Sequence, residues 1–239
     1  MKVPEAGTEV YLAQTANSSN PGPLFSASFP VDMVIWKENI SNSSGFSNGA
    51  RLLQGSYGLT NDNSAWVTNS AMAFDYSYGW RNDYGVDTNN LSWMFSRATG
   101  FMDVVAYTGT GGTSTQAHNL GVVPELMIFK RRDGYGWNTY VASSVLASAG
   151  PTKYLELNDS ATIGTDSNFL NGAPTSSLIN TGSNTNQSTK NYIAYLFATL
   201  AGVSKVGSYT GTGSDLNVDC GFSAGARFFF TKRTDSSGD

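Results

Sequence analysis

The sequence predicts an all-β protein of tandem β-sandwich modules, jelly-roll-like in strand number and about 100 residues each. Three observations carry this. Only 13% of the 239 residues are charged, 13% are aromatic, and Ser, Thr, Asn and Gly fill the spaces between short apolar runs, as in chains of short strands joined by many turns. The stretch Tyr107-Thr-Gly-Thr-Gly111 recurs letter for letter as Tyr209-Thr-Gly-Thr-Gly213. Around both copies the similarity spreads far enough to organise most of the chain, and a period near a hundred residues is long enough for each copy to enclose its own core.

The repeat sets the domain organisation. Trp93-Met-Phe-Ser-Arg-Ala-Thr-Gly100 lies against Tyr195-Leu-Phe-Ala-Thr-Leu-Ala-Gly202, and Leu126-Met-Ile-Phe-Lys-Arg-Arg-Asp133 against Phe228-Phe-Phe-Thr-Lys-Arg-Thr-Asp235, both at the spacing that separates Tyr107 from Tyr209. A more divergent copy precedes these: Met33-Val-Ile-Trp-Lys37 matches Leu126-Met-Ile-Phe-Lys130, Arg51-Leu-Leu53 matches Lys153-Tyr-Leu155, and Tyr11 is aligned with Tyr107. That alignment makes the loop before the lysine longer in the first copy than in the later two. The copies start near residues 4, 102 and 204, giving a divergent first repeat over 1–103, a second over 104–203 and the beginning of a third over 204–239. A third module that stops just after its second strand is expected to belong to a longer polypeptide or to end in disorder.

Within the second copy the elements follow in order. Phe101–Tyr107 alternates and is β-prone; Thr108–Ser114 is a Gly-Thr turn; Thr115–His118 opens the next strand; Asn119-Leu-Gly121 is a turn signal before Pro124. Leu126–Phe129 is a continuous apolar run, which fits a strand buried on both faces. Trp137–Val141, Lys153–Leu157, Ser177–Ile179 and Tyr192–Phe197 supply four further strands, and Ser144–Ala149 is the single helical hint, about one turn. An up-and-down barrel is the competing geometry.

Several function classes are excluded at this level. A net charge of −4 and a pI near 4.9, with no Lys/Arg cluster, argue against nucleic acid. The basic residues at Lys130-Arg131-Arg132 and Lys232-Arg233 close strands, where they read as solvated ends that block edge pairing. Cys220 and His118 are each the sole residue of their type, so no intrachain disulfide, thiolate zinc site or His-rich metal centre can form. No apolar run is long enough to span a bilayer, and Met1-Lys-Val-Pro-Glu5 lacks the apolar core of a signal peptide.

The series Val104–Gly111, His118-Asn-Leu-Gly-Val-Val-Pro-Glu-Leu-Met-Ile-Phe-Lys130, Lys153–Asn158, Ala173–Ser177 and Tyr192–Phe197 resembles a repeat module of tail-fibre and related virion proteins of tailed bacteriophages, particularly those of marine bacteria. The second copy fits along its whole length. The first departs from it, with Ser28-Phe-Pro30 where Asn-Leu-Gly would stand and an aromatic-rich downstream half. The resemblance implies a virion surface or appendage module, partnered by other virion proteins and by copies of itself, and a trimer as such fibres often are, although no heptad stretch enforces that register. It carries no catalytic residues to transfer.

Candidate sites therefore come from the residues themselves. Asp75, Asp83 and Asp87 form the densest acidic group, and paired carboxylates are what glycoside cleavage uses, but isolated Asp in polar loops reads better as turn chemistry. Asp62 between Asn61 and Asn63 is oxygen-rich like a calcium loop, without the spaced acids and closing Glu of an EF-hand. Neither Gly-x-Ser-x-Gly nor a phosphate loop is present. The copies differ most where the first has Tyr76-Ser-Tyr-Gly-Trp-Arg-Asn-Asp-Tyr84 and the second Thr181-Gly-Ser-Asn-Thr-Asn186. Aromatic rings beside Asp, Asn and Arg are the equipment of sugar binding, so Tyr78, Trp80 and Tyr84 are the candidate contacts for a host surface glycan, packing against a neighbouring module being the competing role. The expectation is a non-enzymatic, cofactor-free, metal-free module of a phage virion, exposed on the particle or its tail, for host attachment or as a spacer behind a receptor-binding tip. The alternative is a purely structural virion protein, such as a decoration, head-fibre or neck component.

Overall fold

The computed structural model describes residues 1–17, 22–38, 45–82 and 88–236. Copy 1 contributes β1 (Tyr11–Thr15), β2 (Phe25–Ser26), β3 (Met33–Lys37), β4 (Ser47–Ala50), β5 (Ser56–Leu59), β6 (Val67–Thr68), β7 (Met72–Ala73), β8 (Gly79–Asn82) and β9 (Leu91–Phe95). Copy 2 contributes β10 (Met102–Thr108), β11 (Ser114–Ala117), β12 (Leu126–Arg131), β13 (Trp137–Val141), β14 (Lys153–Glu156), β15 (Gly164–Thr165), β16 (Leu178–Thr181) and β17 (Asn191–Phe197). All pairings between these strands are antiparallel, and short 3-10 turns are the helical elements of the described residues.

The two copies have the same topology. Copy 1 forms an open six-stranded sheet in the order β1-β9-β3-β4-β5-β6, and copy 2 repeats it as β10-β17-β12-β13-β14-β15. A smaller sheet covers one face of each: β2-β8-β7 in copy 1 and β11-β16 in copy 2. Each pair encloses its own core, around Phe25, Val34, Trp36, Phe74, Trp80 and Met94 in copy 1 and around Leu120, Met127, Phe129, Phe169, Ile179 and Leu196 in copy 2. The fold is thus the sandwich and not the barrel, since each large sheet ends in unjoined outer strands. Ser144–Ala149 forms turns rather than a helical segment.

The apolar run of β12 is explained by its place. Met127 and Phe129 point into the copy's own core, while Ile128 packs on a third core lying between the copies. The equivalent residues of β3 split in the same way, Val34 and Trp36 to one side, Met33 and Ile35 to the other. With both faces covered, alternation of polar and apolar residues has no role, and the run is apolar throughout.

Register corrects the alignment of the opening strand. Tyr11 lies opposite Phe95 as Met102 lies opposite Phe197, so Tyr11 corresponds to Met102 and not to Tyr107. Tyr107 instead stacks on Tyr192 at 5.1 Å beside the outer core, and donates from its hydroxyl to Thr185 O. The loop before the lysine is accordingly shorter, not longer, in the first copy.

The third core binds the copies together. It gathers Val10, Tyr11, Met33, Ala50, Leu53 and Phe95 from copy 1, the linker residues Ala98 and Phe101, and Met102, Val104, Trp137, Ile193 and Tyr195 from copy 2. Inside it the Tyr195 hydroxyl donates to Asn48 Oδ1, Asn48 Nδ2 donates to Val34 O at 3.0 Å, and Trp137 Nε1 donates to Leu59 O at 2.8 Å. The linker adds an ionic tie: Arg97 Nε is 3.3 Å from Asp32 of copy 1, and its Nη1 is 3.8 Å from the buried Asp103 of copy 2.

Residues 204–236 carry no strand among those described, yet they dock on copy 2 as copy 2 docks on copy 1. Trp66 N donates to Arg132 O at 2.8 Å across the first joint, and Ile163 N donates to Thr234 O at 3.1 Å across the second. Asp62 of copy 1 faces the Lys130 amine, and the equivalent Lys232 amine reaches Asp159 O. β10 packs on the turn Arg51–Leu53, and Ser208 Oγ donates to Val145 O in the matching connection of copy 2. The segment also returns to copy 1: Phe228 lies 6.0 Å from Tyr11 and 5.5 Å from Phe95, and the Tyr11 hydroxyl donates to Arg227 O. Copy 1 touches copy 2, copy 2 touches the third segment, and the third segment touches copy 1. The arrangement is cyclic about the shared core.

The Tyr-Thr-Gly-Thr-Gly sequence is the turn that closes β10. Gly109 lies so close to Gln187 O that a Cβ would come within 2.1 Å of it, and Gly111 takes φ 84 while its N–H donates to Asn186 O. In the third segment Tyr209 is exposed, and a Cβ added at Gly211 or Gly213 would meet nothing within 4 Å.

The inter-copy hydrogen bond yields a stability prediction. Tyr195→Phe leaves Asn48 Oδ1 without its donor in a dry core and is expected to cost about 1–3 kcal/mol, read as a lower urea midpoint with unchanged m-value; an unaltered midpoint would remove this bond from the joint.

Candidate functional site

Of the three rings expected to contact a glycan, Trp80 does not reach the surface. Trp80 on β8 is fully buried, stacked between Phe25 at 5.0 Å and Phe74 at 5.6 Å, 5.2 Å from Trp36, with its indole N–H donated to Ser92 Oγ at 3.0 Å. Its polar atom is satisfied and both ring faces are covered, so it is a core residue of copy 1 and cannot contact a glycan. Tyr78 is exposed and stands edge-on to Tyr76 at 6.3 Å. Tyr84 lies outside the described residues, as do Asp83 and Asp87. Asp75 accepts from Gln54 Nε2 at 2.7 Å, and Asp62 accepts from Ser64 N at 2.8 Å, the bond of an Asx turn. His118 is buried, with Nε2 3.1 Å from Thr175 O and Nδ1 accepting from Leu120 N, and burial lowers its pKa.

The basic run at the end of β12 is not a solvated edge. β12 is an inner strand between β17 and β13, so its end has no open ladder to guard. Lys130 is fully buried, donates to Tyr135 O and sits 5.3 Å above the Trp137 ring, its cross-strand partner. Lys37 lies in the same way 5.2 Å from the Phe46 ring in copy 1. Burial pulls the Lys130 amine down to about 8, against the opposing pull of Asp62. Arg131 bonds Asp133 and Gln187 and lies 3.8 Å over the Tyr135 ring, which its φ of 72 turns outward. The recess walled by Phe129, Arg131, Tyr135 and Tyr192 holds only about 10 Å³, room for a single water.

Arg132, the third member of the run, opens a different space. At the joint of copies 1 and 2 a cleft of about 290 Å³ is lined by Ser56, Trp66 and Thr68 from copy 1 and by Arg132, Asp133, Thr189, Lys190 and Asn191 from copy 2. The backbone fixes Arg132, whose N–H donates to Asn191 O at 2.8 Å and whose carbonyl accepts from Trp66 N at 2.8 Å. Its side chain spends one N–H on Ser56 Oγ at 3.3 Å, while Nε is buried with no hydrogen-bond partner and no carboxylate pairs with it among the described residues. The acid beside it is taken: Asp133 accepts from Lys190 Nζ at 2.7 Å and from Arg131 Nε, and these bonds, Lys190 foremost, hold its carboxyl below the usual range. The Trp66 indole lies flat on Gly58, where any Cβ would come within 2.5 Å of Nε1, and this nitrogen too is buried and unpartnered. Thr189, a β-branched residue, holds φ 64 in the wall, the kind of strain that persists only where its surroundings impose it.

This cleft escaped sequence reasoning because Trp66 and Arg132 belong to different copies. A signal was present in the run itself: Lys130-Arg131-Arg132 aligns with Lys232-Arg233-Thr234, so Arg132 is the position at which the basic stretches part. Among the described residues no group of three or more His, Cys, Asp and Glu side chains is placed to hold a metal ion, and no helix is long and apolar enough to cross a membrane.

The buried amine makes stability depend on pH. An unfolded lysine keeps its ordinary value of 10.5 while Lys130 in the fold titrates at about 8, so between these values the unfolded chain binds more protons and stability rises with pH. Tyr11, pushed up by burial to about 12, works in the opposite sense above pH 10. Urea unfolding of the native chain is therefore expected to show stability climbing from pH 8 to 10, and Lys130→Met to flatten that climb; equal slopes would refute the assignment.

Residues 38–239 match the family model described as a domain of unknown function, DUF7483, and the chain belongs to that family. No curated protein and no solved structure matches it.

Proposed function

We propose that this DUF7483 member is a non-enzymatic module of a tailed-bacteriophage virion appendage, serving host-surface attachment or standing as a spacer behind a receptor-binding tip. Its place is the particle surface or tail, and its partners are other virion proteins and further copies of itself. The reading is supported by the resemblance of the second copy to fibre repeats and, above all, by the cyclic arrangement of the copies. The copies share one apolar core, the joint of copies 1 and 2 is repeated where copy 2 meets the third segment, and that segment turns back to copy 1 through Phe228, the kind of mutual contact that fits a unit of a trimer-like fibre. Such a unit resists bending because bending must open an apolar core, and it leaves its loops at the surface free to vary.

The second reading, a purely structural virion protein without host ligand, is favoured by one observation. The aromatic stretch that would have met a glycan sends Trp80 into the core and leaves Tyr78 at the surface. The two readings place the protein differently. Antibody fragments raised against the purified chain and imaged on intact particles are expected to decorate the tail appendages, and the purified chain to bind host cells. Decoration confined to capsid or neck without cell binding would favour the structural reading, and absence from the particle would overturn both.

A further inference from the structure

We infer that the cleft at the joint of copies 1 and 2 binds a carboxylated saccharide, with Arg132 receiving the carboxylate and Trp66 and the surrounding hydroxyl and amide groups receiving the sugar. The inference rests on the cleft itself and stands or falls apart from the virion reading.

The charge in the cleft has no partner of its own. Arg132 is anchored at both backbone groups, its Nε is buried and unbonded, and the adjacent carboxylate of Asp133 is occupied by Lys190 and Arg131. Arg132 is half-buried and lines the cleft without a counter-ion, and a ligand carboxylate accepting from its outer N–H groups supplies one with a geometry that no single-point anion reproduces. Asp133 in the same wall disfavours a compact dianion such as phosphate or sulfate, whose charge it would meet at close range. A ligand charged at one end and neutral along the rest is the better fit.

The remaining lining suits that neutral part. Trp66 brings an indole ring, and Ser56, Thr68, Thr189 and Asn191 add hydroxyl and amide groups to the lining. A volume of about 290 Å³ stands at the lower end of small-molecule sites, enough for one sugar ring with its carboxylate. The equivalent joint, between copy 2 and the third segment, has Ile163 and Thr234 where this one has Trp66 and Arg132, under the same backbone hydrogen bond. The fold needs the bond but neither the tryptophan nor the arginine, so these two side chains are free of the architectural duty that governs their position.

The test titrates the intact chain with trigalacturonate and with its methyl ester, following heat by calorimetry and the tryptophan emission. The acid is expected to bind, the ester to bind roughly tenfold or more weakly, and Arg132→Gln to lose roughly tenfold toward the acid alone; Trp66→Phe should weaken binding while quenching less, and about 0.5 M salt should reduce affinity. Absence of binding by the native chain, equal affinity for acid and ester, or an Arg132→Gln variant that binds as well as the native chain would each overturn the assignment. Should Arg132→Gln fail to fold, Lys190→Gln at the partly exposed rim replaces it, with a loss of roughly threefold expected and unchanged affinity counting against the site. Host-cell binding that survives Arg132→Gln would sink the cleft while leaving the attachment reading in place, whereas saccharide binding by a chain absent from virions would do the reverse.

Discussion

The last strand of each copy is inserted between its first and its third, and the rest of the structure depends on this insertion. β17 pairs with β10 on one side and β12 on the other, as β9 does with β1 and β3, so no central ladder exists until the chain has run through a whole copy and returned. The contacts that define the sheet are therefore those of greatest sequence separation, the kind that form late in folding. Residues 204–236 form no ladder among the described residues, although their docking contacts are in place.

The inserted strand also links the two levels of packing. Ala194 and Leu196 of β17 face the copy's own core, and Ile193 and Tyr195 face the core shared between copies. One strand thus holds the sandwich and the joint together, which leaves little freedom for one to loosen without the other. Polar groups in the shared core include matched ones, as in the Tyr195–Asn48 and Trp137–Leu59 bonds. Buried polar atoms without a hydrogen-bond partner occur as well, among them Thr139 Oγ1 opposite Ile128, Arg97 Nε in the linker and, beside the cleft at the rim, Trp66 Nε1 and Arg132 Nε.

Much of this organisation could be read from the residues, and the failures share one cause. Leu126–Phe129 was readable as a doubly buried strand because a continuous apolar run has few other uses at that length. The position of Trp80 was not, since an aromatic-rich stretch suits a surface platform and a core equally. What decides between them is Phe25 and Ser92, neither of which is a sequence neighbour. The lysine that closes β12 misled in the same way: at the end of an apolar run it looks solvated, and only the cross-strand ring of Trp137 shows where its charge goes. Pairing Tyr11 with Tyr107 followed identity of letters, whereas hydrogen-bond register follows the neighbouring strand. The cleft combines one side chain from each copy, so its chemistry has no local pattern at all, and the divergence at Arg132 was its single trace.

Covalent continuity between the copies has a genetic consequence. In a fibre assembled from three identical chains, a substitution at a joint is made three times over, and any gain at one position must be tolerated at all. Here the joint that joins Trp66 to Arg132 and the joint that joins Ile163 to Thr234 share a backbone hydrogen bond but are encoded separately. Each corner of the unit can acquire its own specificity by point mutation while the others keep the architecture, so tandem duplication turns one inherited interface into several that selection can edit independently.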